Sequence, residues 1–166
     1  YISNLSNNIT SSYKSFNTGN DYLDGLLSLK YNQAWESDIE FEVEIRNGLE
    51  KLKMESYELI SIISNILDNG FEAIKQSNNT TNRKVILNAY ESEKLYCIEI
   101  SNNGPMIPQQ LFSKIFESGF STKKSKAERG YGLYIVKQLV SKYNGTITLN
   151  STDEKTCFMI ELPQER

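Results

Sequence analysis

Asn65, Asp68, Asn69 and Glu72 follow one another at three- and four-residue spacing through a segment that is otherwise apolar. On a helix that spacing lays them along one line, and Ser61 and Gln76 extend it. Leu59, Ile62, Ile63, Ile66, Leu67 and Phe71 take most of the remaining circumference, so the polar line is narrow and reads as the wall of a cleft. The plainer alternative is an amphipathic helix whose polar line meets solvent. Asparagine is a mediocre helix former because its side chain competes for local backbone groups, so two of them one turn apart ask for a role. A carboxamide oxygen suits hard cations, and Mg²⁺ takes one or two protein oxygens and completes its shell with water and phosphate. A nucleotide-bound metal fits that line.

Three further stretches bear on the same chemistry. "NNGPMIP" follows directly on a strand-like run, so Gly104 lets backbone approach a flat ligand while Asn102 presents an amide. "STKK", Ser121 to Lys124, offers hydroxyls and cations within a polar loop. "RGYGL", Arg129 to Leu133, sets two glycines where a loop becomes a helix, and free amides at a helix start suit phosphate. Each alone is a common feature, readable as a plain connector or a solvated loop. Their order and spacing together favour a nucleotide.

The elements that must position these residues follow from periodicity. The opening, rich in Ser, Asn and Thr, has Ile2, Leu5, Ile9 and Tyr13 at helical spacing and reads as a helical end that needs a partner. A helix is expected from Asp21, capped by Asn20 or Asp21, with Leu23, Leu26, Leu27, Leu29, Ala34 and Trp35 as its apolar set. Ile39 to Ile45 alternates strictly and predicts a strand with one acidic face. A long helix over Ser56 to Ser77 carries the polar line. Two strands, "KVILNAY" and "LYCIEIS", form a hairpin around "ESEK". A short helix "QQLFSKIF" and a loop from Glu117 to Arg129 come next. A helix from Tyr131 to Tyr143 stops at Asn144-Gly145, and "TITLNS" and "TCFMIEL" close the chain as a strand pair. That order predicts an α/β fold, a mixed sheet covered on one face by helices.

Composition narrows the classes. The 166 residues fit one main domain with an appendage, and a formal charge of -3 supplies no basic field for nucleic acid. Cys97 and Cys157 lie in apolar strand-like runs without metal or redox spacing and read as buried thiols. The longest apolar run is too short to span a bilayer, and no signal-peptide pattern opens the chain. The chain starts at Tyr1, which reads as a piece of a longer protein, and it contains no histidine, which excludes His-based chemistry within these residues.

Taken in order, "NILDN", "NNGPMIP", "IFESGFSTK" and "RGYGLYIV" resemble the N, first glycine, F and second glycine boxes of the GHKL superfamily. That ATP-binding fold is shared by sensor histidine kinases, type II topoisomerases, MutL and Hsp90. The likeness runs from Ile39 to Leu162 and is greatest to sensor kinases of the peptide quorum-sensing and citrate-sensing type. "TGNDYLDGLLSLKYNQA" is similar to their linker between dimerisation helix and catalytic domain. The resemblance implies a two-layer α/β sandwich of the Bergerat type with an N-terminal helical extension. Residues 1–37 would end the dimerisation region and 38–166 would form the catalytic domain.

It also implies roles. Asn69 matches the Mg²⁺ ligand and Asn65 the polar residue one turn earlier. Asn102 stands where an Asp usually accepts a hydrogen bond from adenine, and Met106 replaces a usual glycine. Gly104, Ile107, Phe120, Ser121 and Thr122 fall at nucleotide-contacting places, as do Arg129, Gly130, Tyr131, Gly132 and Leu133. Lys123 is the phosphate-neutralising candidate, with Asn65 beside it as the catalytic pair. Hydrolytic members carry Glu at the place of Asn65, as a base for water, so an amide there fits transfer to a side chain instead. The implied function is transfer of the ATP γ-phosphoryl group to a histidine outside this chain, with ATP and Mg²⁺ bound. The implied partners are a response regulator receiver domain and a second subunit joined through upstream helices. The implied setting is the cytoplasmic side of a membrane-anchored sensor. The alternatives are a nucleotide-binding regulatory module without transferase activity and an ATPase of the MutL or Hsp90 kind. The segment from Ser118 to Arg129 is expected to order only around phosphate.

Overall fold

The computed structural model describes residues 14–77, 81–121 and 130–164. The helical reading of the opening residues and most of the loop before Gly130 therefore lie outside the described residues.

The first helix, α1, is Asp21–Trp35. Asn20 adopts an extended backbone and its side chain accepts the Leu23 amide at 3.1 Å, which satisfies one of the amides left open at a helix start. Asp21 and Asp24 in the first turn complement the helix dipole. Leu23, Leu27, Lys30 and Ala34 are the buried line of α1. Leu29 and Trp35 are instead 54% and 64% exposed, because only the face bearing that line packs against the domain.

Strand β1, Glu40–Ile45, alternates as predicted: Phe41 is buried while Glu40, Glu42 and Glu44 face solvent. The long helix α2 spans Ser56–Gln76 and buries nine of its residues, among them Ile62, Ile63, Ile66 and Leu67. Each fully buried side chain of this size contributes roughly 1.5–3 kcal/mol. Strands β2, Lys84–Ser92, and β3, Leu95–Asn102, form the expected hairpin, with Ser92 opposite Leu95 and Glu93 at positive φ in the turn. The segment after β3 is two separate 3₁₀ turns, Gln109–Leu111 and Lys114–Phe116, instead of one short helix. The amides close three residues back, Phe112 to Gln109 O at 3.1 Å and Glu117 to Lys114 O at 2.9 Å, which is 3₁₀ and not α bonding. Helix α3, Gly132–Lys142, ends where the Gly145 amide reaches back to the Val140 carbonyl with Asn144 left-handed. Strands β4, Thr146–Ser151, and β5, Thr156–Pro163, complete the fold.

The strand order is β1-β2-β3-β5-β4, with β1 and β2 parallel and every other pair antiparallel. The inner face carries Val85, Leu87, Ile98, Ile100, Phe158 and Ile160, all at most 3% exposed, against α2 and against Val136 and Val140 of α3. The α/β sandwich with helices on one face is thus as predicted, and α1 adds Leu23 and Leu27 to the same core. The opposite sheet face is polar or half-buried. Both cysteines lie there: burial pushes the Cys157 thiol up to about 11 and also raises Cys97. Cys97 is buried as expected, whereas Cys157 is only partly so and donates to Glu99 Oε1 at 3.4 Å. Among the described residues no helix is long and apolar enough to cross a membrane.

Candidate functional site

Helices α2 and α3 run antiparallel, pinned at two places. Glu58 at the start of α2 accepts hydrogen bonds from Lys142, at 2.7 Å, and from the Tyr143 hydroxyl at the end of α3. Two turns further along α2, Asn65 meets the first residue of α3: a Cβ on Gly132 would fall 2.7 Å from Asn65 Oδ1. The Asn65 amide nitrogen donates to the Ser61 carbonyl at 2.7 Å, so its oxygen is the atom turned toward Gly132.

Beyond this contact a cavity of 370 Å³ opens between α2, the ends of β3 and β5, and the segment that leads to α3. Asn69, Ala73 and Gln76 supply the α2 wall, and Asn102 and Thr156 the strand wall. Ile107, Leu111, Ile115, Phe120, Leu133 and Phe158 are among its apolar lining residues, and Ser121, Gly130 and Gly132 also line it. A concave, mainly apolar site with a few placed polar groups is the form that small-molecule and cofactor pockets take.

Asn102 is 6% exposed, and its Oδ1 accepts the Gly104 amide at 3.0 Å. Gly104 does not line the cavity. It lies so close beneath that a Cβ would be 2.9 Å from Asn102 Oδ1 and 3.1 Å from Ala73 Cβ. Glycine is required here by close approach. Gly130 is required twice over, with φ of +109° and a Cβ position 2.7 Å from the Gly119 carbonyl carbon. The Gly119 amide donates to Gly130 O at 3.1 Å and closes the two ends of the intervening loop on each other. Tyr131, the residue before α3, gives no side-chain cap, so the first-turn amides of α3 are not satisfied from that side chain.

Of the residues singled out in sequence, Asn69, Asn102, Ile107, Phe120, Ser121, Gly130, Gly132 and Leu133 line one cavity. Asn65 and Gly104 stand just behind its wall. Tyr131 does not line it and is 53% exposed. Thr122, Lys123 and Arg129 lie outside the described residues. Asp68, counted in the polar line, turns away: its carboxylate receives the ammonium of the buried Lys30 from α1 at 2.6 Å. It sits on the flank of the line, where α1 crosses α2.

Sequence reasoning missed Thr156 and Phe158. Thr156, 2% exposed, is the register partner of Asn102 and shares a 2.6 Å hydrogen bond with Ser151 Oγ, which also accepts the Ile107 amide at 2.9 Å. Only a polar residue opening an apolar strand marked it in the sequence. No described residue lining the cavity is charged, and the described residues contain no cluster of three His, Cys, Asp or Glu. A single carboxamide, Asn69, suits an ion that arrives already held by phosphates and does not suit a resident metal.

Comparison with known proteins agrees with this architecture. The profile of the family described as histidine kinase-, DNA gyrase B-, and HSP90-like ATPase matches residues 54–166. The sensor protein CitS of Halalkalibacterium halodurans is 33% identical over 81% of this chain and 25% of its own length. The sensor histidine kinase DpiB of Escherichia coli is 34% identical over 84% of this chain and 26% of its own. The chain thus spans about a quarter of the length of the curated relatives it matches. The catalytic domain of histidine kinase ThkA superposes with a TM-score of 0.74 at 21% identity, covering 92% of this chain and 95% of that one. The mycobacterial sensor histidine kinase MprB gives 0.68 at 27% identity, covering 87% and 95%.

Proposed function

The chain belongs to the histidine kinase-, DNA gyrase B-, and HSP90-like ATPase family, as an ATP-binding catalytic domain of the sensor-kinase kind, and we propose that its cavity binds Mg-ATP for phosphoryl transfer to a histidine outside this chain. The observation that carries the reading is the convergence of Asn69, Asn102 and the pair Gly130 and Gly132, from three separate segments, on one cavity.

In this reading Asn102 meets the base and the apolar walls exclude water from it. Gly130 and Gly132 let backbone amides approach the phosphates. Asn69 offers the oxygen for Mg²⁺, which when bound supplies charge neutralisation along the triphosphate. Lys123 is assigned the cationic contact from sequence. Phosphoryl transfer depends chiefly on positioning and charge stabilisation, which these groups can provide without an acid or a nucleophile of their own. Asn65 positions the start of α3 and has no basic character, so activation of water is disfavoured and transfer to an incoming side chain is favoured. The whole protein would be a two-component sensor. Residues 1–37 would belong to its dimerisation region, with a response regulator receiver domain as partner and a membrane anchor upstream.

The test is a longer chain carrying the upstream acceptor, incubated with γ-labelled Mg-ATP. Acid-labile, base-stable label on histidine is expected. Nucleotide binding without label would favour the second reading, a regulatory module without transferase activity, which Asn102 and the half-exposed Met106 motivate.

A further inference from the structure

The base end of the cavity is uncharged, and its polar groups work in both directions. A carboxylate is acceptor-only, whereas a carboxamide carries two acceptor lone pairs and two donor hydrogens. The Gly104 amide takes one lone pair of Asn102 Oδ1 and thereby fixes which end of the carboxamide is oxygen. Asn102 Nδ2 has no hydrogen-bond partner among the described residues, although the residue is 94% buried at the cavity wall. At the cavity wall its hydrogens are open to the cavity, so an acceptor on a bound ligand can take the bond that water would otherwise fill.

The neighbouring hydroxyl is reversible. Ser151 Oγ accepts the Ile107 amide at 2.9 Å and is 2.6 Å from Thr156 Oγ1, where either hydroxyl can be the donor. If Ser151 donates, the Thr156 hydrogen is available to a ligand acceptor; if Thr156 donates, its lone pair is available to a ligand donor. Gln76, the remaining polar side chain on this part of α2, is a carboxamide too. Among these side chains the one fixed acceptor is therefore Asn102 Oδ1, and it stands beside the donor Nδ2 of the same carboxamide.

Adenine presents a donor, the 6-amino group, next to an acceptor, N1. A 6-oxopurine reverses both. Discrimination between them requires a group that only one can satisfy. We propose that this cavity accepts 6-oxopurine nucleoside triphosphates alongside ATP, and that Asn102 is the residue responsible. The inference rests on the nucleotide-binding reading above and concerns which base that site takes. Asn102 Nδ2 donates to O6, and Oδ1, through its second lone pair, accepts from N1–H or from the 6-amino group of adenine.

The test is displacement of a fluorescent ATP analogue from the 166-residue chain by Mg-ATP and by Mg-ITP, which differ only on that base edge. ITP is expected to compete within about tenfold of ATP. Asn102→Asp, which sets a second fixed acceptor against O6, is expected to weaken ITP relative to ATP by about tenfold or more. Tight ATP binding with ITP more than about tenfold weaker in the unaltered chain overturns the proposal, as does an ATP-to-ITP ratio unmoved by Asn102→Asp. The unaltered chain decides alone if the buried carboxylate prevents folding. Failure of the analogue to bind at all removes the nucleotide-binding reading itself, and this proposal with it.

Discussion

Gly132 opens α3 directly against Asn65: a Cβ added to it would stand 2.7 Å from the Asn65 carboxamide oxygen. The Asn65 side chain is held by the Ser61 carbonyl and cannot simply swing clear. Gly132→Ala should therefore push the start of α3 off α2 and open the phosphate end of the cavity. Overpacking of this kind costs about 1–3 kcal/mol. Calorimetry should show weaker Mg-ATP binding together with a lower melting temperature, and unchanged values for both would show that the contact is slack.

A Cβ at Gly70 meets a different situation. It would lie 3.4 Å from Asn102 Nδ2 and 3.5 Å from Asn102 Cβ, which is ordinary contact, and Gly70 has no positive φ. Glycine inside a helix costs on the order of 1 kcal/mol against alanine. Gly70→Ala is expected to stabilise the domain by about 0.5–1 kcal/mol in urea unfolding. A destabilised variant would mean that the Asn102 wall needs that space.

How much of this was legible in the sequence depends on distance along the chain. The spacing that sets Asn65 and Asn69 on one helix and the alternation from Ile39 to Ile45 are local patterns and were legible, as was the need for glycine at 104, 130 and 132, although Asn65 and Gly104 stand behind the cavity wall and do not line it. Asp68 was misplaced because helical spacing puts it beside Asn65 and Asn69 while saying nothing of where α1 crosses. Thr156 reaches Asn102 only because β5 inserts between β3 and β4, a long-range pairing that no period along the chain records. The exposed Leu29 and Trp35 show the same limit, since apolarity marks candidates for a core and packing chooses among them.

The pair of Lys30 and Asp68 gives an asymmetric prediction. The Lys30 side chain is 6% exposed and the Asp68 side chain 51%. Asp68→Ala leaves a buried ammonium without its counter-charge and is expected to cost about 1–2 kcal/mol, discounted because the carboxylate is half in water. Lys30→Met keeps the packing and removes the charge, so it should stay within about 1 kcal/mol of the parent. Urea unfolding of both variants checks this, and equal losses would contradict it.

Acid should loosen the α2–α3 pin at Glu58. Hydrogen bonds from Lys142 and then Tyr143 hold its carboxyl below the usual carboxylate range. A pKa lower in the folded than in the unfolded state gives stability that is complete above the ordinary carboxylate value and is lost as pH falls through the folded one. Glu58→Gln removes that dependence. Melting temperature should drop more steeply with acid in the parent than in Glu58→Gln, from about pH 6 to about pH 3. Parallel acid profiles would show that the pin carries no linked proton.

The central claim is that Asn69 stands in a cavity built for a magnesium-bound nucleotide, and titration calorimetry of Asn69→Ala beside the parent, with Mg²⁺ and with a chelator, tests it most directly. The account predicts that the parent binds ATP more tightly with Mg²⁺ and that Asn69→Ala loses that gain, on the order of tenfold or more. A parent that binds no ATP, or an Asn69→Ala chain whose Mg²⁺-dependent affinity equals the parent's, would contradict it.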